Sequence, residues 1–310
     1  MASTTTIKVK DGITWINIVN ASKADLTQLK RKFKFLEIDL KDSYPNQNAQ
    51  RPKFYLRHTY AFLILQFPIY NTKQRVVTPE EVDFFIGPDY IITCHKNKLP
   101  ALVGFFNLCH SDRFYREQYL SDSTMTLLYE IIERLQENCY PMLDHLSLDV
   151  RNIEKNIFAG RERRMVTEIL SIKRNVLNFR KSISSHKNVL KKVINSDRPF
   201  FPIKSSNVVF SHLIEHTKNI WEILDSQKEM IEALEDTNSS LVSFKLNDIM
   251  RTLTIFSVII LPLSLIAGIF GMNVVEMPIV SDAHAFWVLL GIMGVAGLGM
   301  LLFFKRKEWL

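Results

Sequence analysis

Two groups of side chains in this 310-residue chain have types and spacing that could do chemistry. The first is His212-Leu213-Ile214-Glu215-His216. On a helix, histidines four apart share a face and can hold one zinc ion, while the glutamate activates a metal-bound water. That is hydrolytic chemistry, and it needs a third ligand. None is identifiable beside the motif, which sits in a stretch that reads as uninterrupted helix. The second is Gly271-Met272-Asn273, where a side-chain amide stands at the end of a long apolar run. A tripeptide alone carries little information at the false-positive rate of short motifs. The elements around it decide its meaning.

Thr252 to Val275 is a run of 24 residues without a charge, and Ala283 to Phe304 is a further run of 22 with only His284 titratable. About 20 apolar residues at 1.5 Å each cross a hydrocarbon core of roughly 30 Å. Both runs therefore predict transmembrane helices, which the overall apolar fraction of 47% conceals. Lys245 and Arg251 precede the first span and Lys305, Arg306 and Lys307 follow the second, whereas the intervening loop has no Lys or Arg. The positive-inside rule then predicts a multi-pass protein of the cell (inner or plasma) membrane with both termini in the cytoplasm. Met1 to Lys10 is polar and lacks the apolar core of a signal peptide, which agrees with a cytosolic N-terminal part. The net charge of +7 comes with no recognisable nucleic-acid motif, so no nucleic-acid partner is expected. Cys94, Cys109 and Cys139 have neither zinc nor redox spacing.

The first 110 or so residues read as a mixed α/β domain. Strands are predicted at Ile13 to Ile18, Phe54 to Arg57, Tyr60 to Phe67 (ended by Pro68), Val82 to Ile86 and Tyr90 to Cys94, with a turn at Gly87-Pro88-Asp89 and a short helix over Ser22 to Phe33. From Asp122 the apolar residues recur at three and four, which predicts helices, broken at Ala159-Gly160 and resuming from Met165 to Ile194. Between Arg151 and Lys192 there are twelve basic residues against three acids, a solvated face or an electrostatic partner for acidic segments. No Gly or Pro occurs from Ile203 through Leu261. Leu213, Thr217, Ile220, Leu224, Gln227, Ile231, Leu234, Asn238 and Leu241 form a coiled-coil-like seam that runs into the first span. One helix of roughly 65 residues, about 100 Å long, is the economical reading. Such a helix needs neighbours, from its own chain or from symmetric copies.

Asn247 to Thr254 followed by Leu261-Pro262-Leu263-Ser264-Leu265-Ile266-Ala267-Gly268-Ile269-Phe270-Gly271-Met272-Asn273 closely resembles the pore helix of the CorA family of magnesium transporters. Arg51-Pro52-Lys53 with Tyr60 to Pro68, Phe84 to Tyr90 with Thr93 and His95, Leu128 to Glu154, and Lys305 to Leu310 look like the family's other landmarks, so nearly the whole chain is covered. The resemblance implies a funnel-shaped homopentamer in the lipid bilayer, not an enzyme, built from an α/β cytosolic domain, a long helical stalk and two C-terminal transmembrane helices. It divides the chain into a cytosolic α/β domain at 1–117, a helical hairpin at 118–204, a stalk helix at 205–251, a pore-lining span at 252–270, an extracytoplasmic loop at 271–283, a second span at 284–304 and a basic cytosolic tail at 305–310.

Against that expectation, Gly271, Met272 and Asn273 are the selectivity filter. Asn247, Met250, Leu253, Ser257, Leu261, Ser264 and Gly268 follow steps of three and four and line the pore along one nearly charge-free face. Such a face suits hydrated Mg2+, which keeps several of its waters, because amides and hydroxyls accept from those waters without trapping the ion. Leu261, Leu253 and Met250 would be hydrophobic constrictions, and Pro262 a modest kink. The family's loop acid after Met-Pro is here Ile279, leaving Glu276 and Asp282 as the loop's acids and implying weaker attraction of cations to the outer mouth. The resemblance also implies a regulatory divalent site in the cytosolic part. The stalk carboxylate expected there falls near His212, so Asp89, His212, Glu215, His216, Glu222 and Asp225 are the candidate ligands. No ATP-binding motif is present, and the membrane potential suffices to drive Mg2+ influx. The same architecture moving Co2+, Ni2+ or Zn2+ is one alternative; a membrane-tethered zinc hydrolase using His212, Glu215 and His216 is another.

Overall fold

The computed structural model describes residues 3–10, 12–44, 50–196, 201, 207–272, 284–307 and 309. It falls into two compact units, residues 1–235 and 236–310.

The first unit is organised on a six-stranded mixed sheet. Its strands are β1 (Ser3–Lys8), β2 (Thr14–Val19), β3 (Lys53–Leu56), β4 (Ala61–Asn71), β5 (Val76–Ile86) and β6 (Tyr90–His95), in the spatial order β1-β2-β6-β5-β4-β3. Only β2 and β6 pair in parallel; every other neighbour is antiparallel. The five sequence-predicted strands are all present. β1 is an addition: its Thr-rich sequence buries only Ile7, as an edge strand with one apolar contact does.

Pro68 does not end its strand. β4 continues to Asn71, and Pro68 stands directly opposite Pro79 of β5. β3 covers only Ala61–Ile64 of β4, and β6 covers only Val82–Ile86 of β5, so both prolines lie where the ribbon has no third strand. Two facing residues that both lack an N–H must form a non-hydrogen-bonded pair, in which the missing donors point outward and break no ladder bond.

Both faces of the sheet are covered. On one side Ile16, Ile18, Phe62, Ile64, Phe85 and Ile92 pack against Leu26 and Leu29 of α1 (Lys23–Phe33) and Leu40 of α2 (Glu37–Asp42). The start of α1 is set by a capping box: the Ser22 hydroxyl accepts from the Asp25 N–H at 3.2 Å while the Asp25 carboxylate accepts from the Ser22 N–H at 2.8 Å. On the other side Trp15 packs on Phe105 and Phe106 of α3 (Pro100–Ser111), which leads through α4 (Arg113–Leu120) to α5 (Thr124–Glu137). Leu63, Leu65, Phe67, Val82 and Phe84 share that core with Leu127, Leu128 and Ile131 of α5. There follow α6 (Cys139–Phe158), α7 (Glu162–Ile183) and α8 (His186–Ile194). The predicted break at Ala159-Gly160 is present, with Gly160 at φ 81°, a conformation that favours glycine. The expected helix from Met165 to Ile194 is interrupted at Ser184-Ser185, dividing α7 from α8.

A single helix, α9 (Asn207–Phe270), spans 64 residues. Its seam from Leu213 to Leu234 is buried against its own chain, which answers the question of neighbours for this part. The polar positions of the seam are matched individually. Gln136 of α5 donates to the Leu213 carbonyl at 3.1 Å and the Thr217 hydroxyl at 2.9 Å, and Gln227 donates to the Leu143 carbonyl at 2.9 Å and the Ser147 hydroxyl at 2.7 Å on α6.

Buried polar groups in this unit are held neutral or paired. Trp15 donates to the Thr93 hydroxyl, which donates to the Asn17 side-chain oxygen; His95 Nε2–H donates to that same oxygen at 3.0 Å, and His95 Nδ1 accepts from the Asn97 N–H at 3.1 Å. Both ring nitrogens are thus used in the uncharged form, and burial pulls the imidazole down to about 4. His186 is buried beneath Phe67, donates from Nε2 to the Gln66 carbonyl at 2.7 Å, and is likewise pulled to about 4 by burial. Asp39, fully buried, instead carries its charge against a bidentate Arg57 at 2.6 and 3.0 Å, with the Tyr60 hydroxyl donating at 2.5 Å.

Two measurements follow. His95 and His186 are neutral in the fold and bind protons near the ordinary imidazole value of 6.5 once unfolded, so their stability contribution is complete above that value and declines as pH falls toward 4. Thermal melting in detergent is expected to drop steeply across this window, and His186→Phe to flatten the slope. Arg57→Ala strands the Asp39 carboxylate in the interior and is expected to cost about 3 kcal/mol, with Arg57→Lys restoring only part of it.

Candidate functional site: an uncharged helix face at the membrane

The second unit contains the end of α9 and α10 (Ala285–Arg306). Both helices are long and apolar enough to cross a membrane, with mean hydropathy of 2.5 and 2.3 in their most apolar windows. Its buried apolar side chains among the described residues are Ile255 and Phe304. Gly297 of α10 brings its backbone close to α9: a methyl placed there would lie 3.7 Å from Leu263 Cδ1. Small residues at such crossings let helices approach where there is no hydrophobic drive between them.

This contact divides α9 into two sides. Ile255, Ile259, Leu263, Ile266 and Phe270, the buried or half-buried positions, follow steps of four and three along the side turned to α10. Asn247, Met250, Leu253, Ser257, Leu261, Ser264 and Gly268 are all exposed. At 3.6 residues per turn the mean directions of the two sets differ by about 170°. The amide, hydroxyl and glycine positions named from the sequence therefore share the side of the helix that the chain itself leaves bare. Leu261 is 67% exposed and Leu253 58%.

Two hydroxyls on and beside this side have a fixed proton direction. Ser257 donates to the Leu253 carbonyl at 2.9 Å and Thr254 to the Met250 carbonyl at 2.8 Å. Their oxygens keep free lone pairs, so they present acceptors outward. Pro262 sits within the helix, which continues through it. The helix closes with Gly271 N–H on the Ala267 carbonyl at 2.9 Å and Met272 N–H on the Ile269 carbonyl at 3.3 Å, the latter a tighter final turn. Asn273, Glu276 and Asp282, the remaining filter residue and the two loop acids, lie outside the described residues.

The candidate cytosolic ligands are not brought together. Asp89 is exposed in the β5–β6 turn. Asp225 pairs with Arg180 at 2.9 Å and Glu222 with Lys218 at 3.3 Å. His212 and His216 do meet, with ring centroids 4.3 Å apart and planes tilted by 60°, as helical neighbours can. The carboxylate that meets them is Glu133 of α5, 3.5 Å from His212 Nδ1, whereas Glu215 is exposed. Among the described residues no three His, Cys, Asp or Glu side chains are grouped to hold a metal. Glu133, paired from 79 positions away, carried no local signal in the sequence.

A face of uncharged acceptors on the first of two membrane-crossing helices, carried on a long stalk from an α/β domain, defines a membrane ion-transport protein. The comparisons are specific about the kind. The family model for CorA-like Mg2+ transporter proteins matches residues 10–306, and the chain belongs to that family of divalent-cation transporters, which are not enzymes. It is 26% identical to the putative metal ion transporter YfjQ of Bacillus subtilis, over 95% of this chain and 89% of the relative. It is 27% identical to the cobalt/magnesium transport protein CorA of Thermotoga maritima, over 96% of this chain and 83% of the relative. The complete structure of the CorA magnesium transporter from Methanocaldococcus jannaschii superposes with a TM-score of 0.84 at 21% identity, covering 98% of this chain and 94% of that one, and so has the same fold.

Because Glu215 is exposed and lies outside the candidate pore face, Glu215→Ala is expected to shift stability by no more than about 0.5 kcal/mol and to leave ion flux unchanged. Loss of transport in that variant, measured in proteoliposomes, contradicts this placement.

Proposed function

We propose that the chain assembles as a homopentamer in the cell membrane, both termini cytoplasmic, and conducts hydrated Mg2+ inward down the membrane potential. The observation that carries this reading is the bare, charge-free side of α9 from Asn247 to Gly268, lying away from α10. A single copy leaves that side uncovered; five copies around an axis turn it inward. Magnesium binds its water tightly and usually keeps several molecules. The ligands it needs in transit are therefore acceptors for water protons, and Asn247, Ser257, Ser264 and Asn273 supply these without a carboxylate that would hold the ion too long. Met250, Leu253 and Leu261 narrow the same passage with apolar rings that close by losing water.

A divalent ion gains roughly 4.6 kcal/mol per 100 mV, so passive entry needs no nucleotide site. Gly271, Met272 and Asn273 form the filter at the outer end in this reading, and Glu276 and Asp282 supply what negative potential the loop offers. The same architecture moving Co2+ is the second reading, favoured by relatives whose names couple cobalt with magnesium. Imidazole or sulfur ligands that would prefer cobalt, nickel or zinc over magnesium are missing from the proposed face, whose one sulfur is the Met250 thioether.

The test is uptake of Mg2+ into dye-loaded proteoliposomes, with Co2+, Ni2+ and Zn2+ added as competitors. Mg2+ flux that rises with an inside-negative potential is the expected outcome; flux of Co2+ alone assigns the second reading. Asn273→Ala is expected to reduce uptake at least 100-fold while the oligomer still elutes as the wild type. Leu261→Ser, which wets one of the proposed apolar rings, is expected to raise basal flux several-fold. Full transport by Asn273→Ala, or a monomer in lipid, overturns the proposal.

A further inference from the structure

The basic bias of α6 and α7 has a focal point. A cavity of about 290 Å3 opens between the β4–β5 turn, the end of α6 and the start of α7. Ile153 and Met165 form part of its floor, and Arg75, Arg161 and Arg164 converge on it with Asn152 and Asn156. Its acids are Asp149 and Glu168. Glu168 is already engaged, with both carboxylate oxygens accepting from Arg75 at 2.9 and 3.2 Å. That leaves Arg161 and Arg164 facing one carboxylate, and Arg164 makes no ion pair among the described residues.

Arg75 and Arg161 are held in place by local hydrogen bonds. Arg75 sits at φ 53° in the tight turn after Asn71, whose side-chain oxygen accepts from the Lys73 and Gln74 N–H groups at 3.1 and 3.2 Å. Arg161 donates to the Asn156 oxygen at 3.0 Å, and the same amide is anchored by donating to the Asn152 carbonyl at 2.7 Å. The bend at Gly160 presents Arg161 and Arg164 to the same opening. Planar guanidinium forks match the oxygens of a phosphate group, and their hydrogen bonds to it are charge-assisted. At the small end of the range for ligand pockets, the volume suits a phosphate group with a modest substituent.

We propose that this cleft is a binding site for a phosphate-bearing anion, held by Arg161 and Arg164, with Glu168 competing against the ligand for Arg75. The site is separate from the proposed pore, and the inference stands or falls independently of which cation is moved. The chemistry is shared by a free phosphate compound and a phospholipid headgroup, and the experiment distinguishes them.

Inorganic phosphate is titrated calorimetrically into the full-length protein in detergent, and then in nanodiscs of phosphatidylcholine with and without phosphatidic acid. Saturable binding is expected, weakened at least ten-fold in the Arg161→Ala/Arg164→Ala double variant and unchanged in Arg163→Ala, an exposed neighbour outside the cleft. Glu168→Gln, which releases Arg75, is expected to tighten binding a few-fold. Loss of phosphate binding only in phosphatidic-acid nanodiscs assigns the site to a lipid headgroup; equal binding in both assigns it to a free anion. No saturable binding by the wild type, or equal weakening in Arg163→Ala and the double variant, overturns the proposal. Unchanged melting temperatures of the variants verify that they fold.

Discussion

One helix has to satisfy two solvents, and a single chain can cover only part of it. In the first unit α9 meets neighbours that match it position by position: leucine and isoleucine against apolar side chains, Thr217 and Gln227 against side chains chosen to hydrogen-bond with α5 and α6. In the second unit the only described partner is α10, which occupies one side. An α-helix has a circumference, and no loop or tail of this chain among the described residues covers the rest. Lipid can solvate leucine and isoleucine there. It solvates Ser257 and Ser264 poorly, because hydroxyl acceptors in hydrocarbon go unsatisfied. The composition of that side therefore suits contact with water or with other polar groups better than contact with lipid.

The two units handle polarity in opposite ways. In the α/β unit buried groups are closed off: His95 spends both ring nitrogens on fixed partners, and Asp39 is clamped by a guanidinium and a phenol. Such networks are rigid and exchange nothing with solvent. On the membrane segment of α9 the Thr254 and Ser257 hydroxyl protons are returned to the helix backbone, and the acceptor side of each oxygen stays open. Closed networks hold a domain in one arrangement, whereas open acceptors suit a guest that arrives with its own donors. That contrast follows from local hydrogen-bond direction and needs no change in residue type.

Much of this was legible before the fold was known. The two uncharged runs, the unbroken helix leading into the first of them and the strands with Val, Ile and Phe in alternation are strong periodic signals, and the tripeptide gained meaning from its place at the end of a span. What escaped notice had weak local signatures. β1 is an edge strand of threonines with one buried side chain, and nothing in its periodicity separates it from a loop. The break between α7 and α8 falls at two serines, which neither forbid nor require helix. The carboxylate beside His212 comes from Glu133 on another helix, a tertiary event, whereas Glu215, adjacent in sequence, faces outward. Spacing within a helix reports which residues share a side; it does not report which second helix supplies the counterpart.

The opposed prolines of the β4–β5 ribbon carry a consequence for how the sheet meets a stray strand. An extended ribbon projecting past its sheet normally offers two free margins on which a stray peptide can add as a new strand. At Pro68 and Pro79 both margins are missing a donor at the same level. Polar groups beside them on those margins are already taken, Val77 by Asn175 and Asn178 of α7 and the Gln66 carbonyl by His186 of α8, so an incoming strand finds neither a continuous ladder nor free partners.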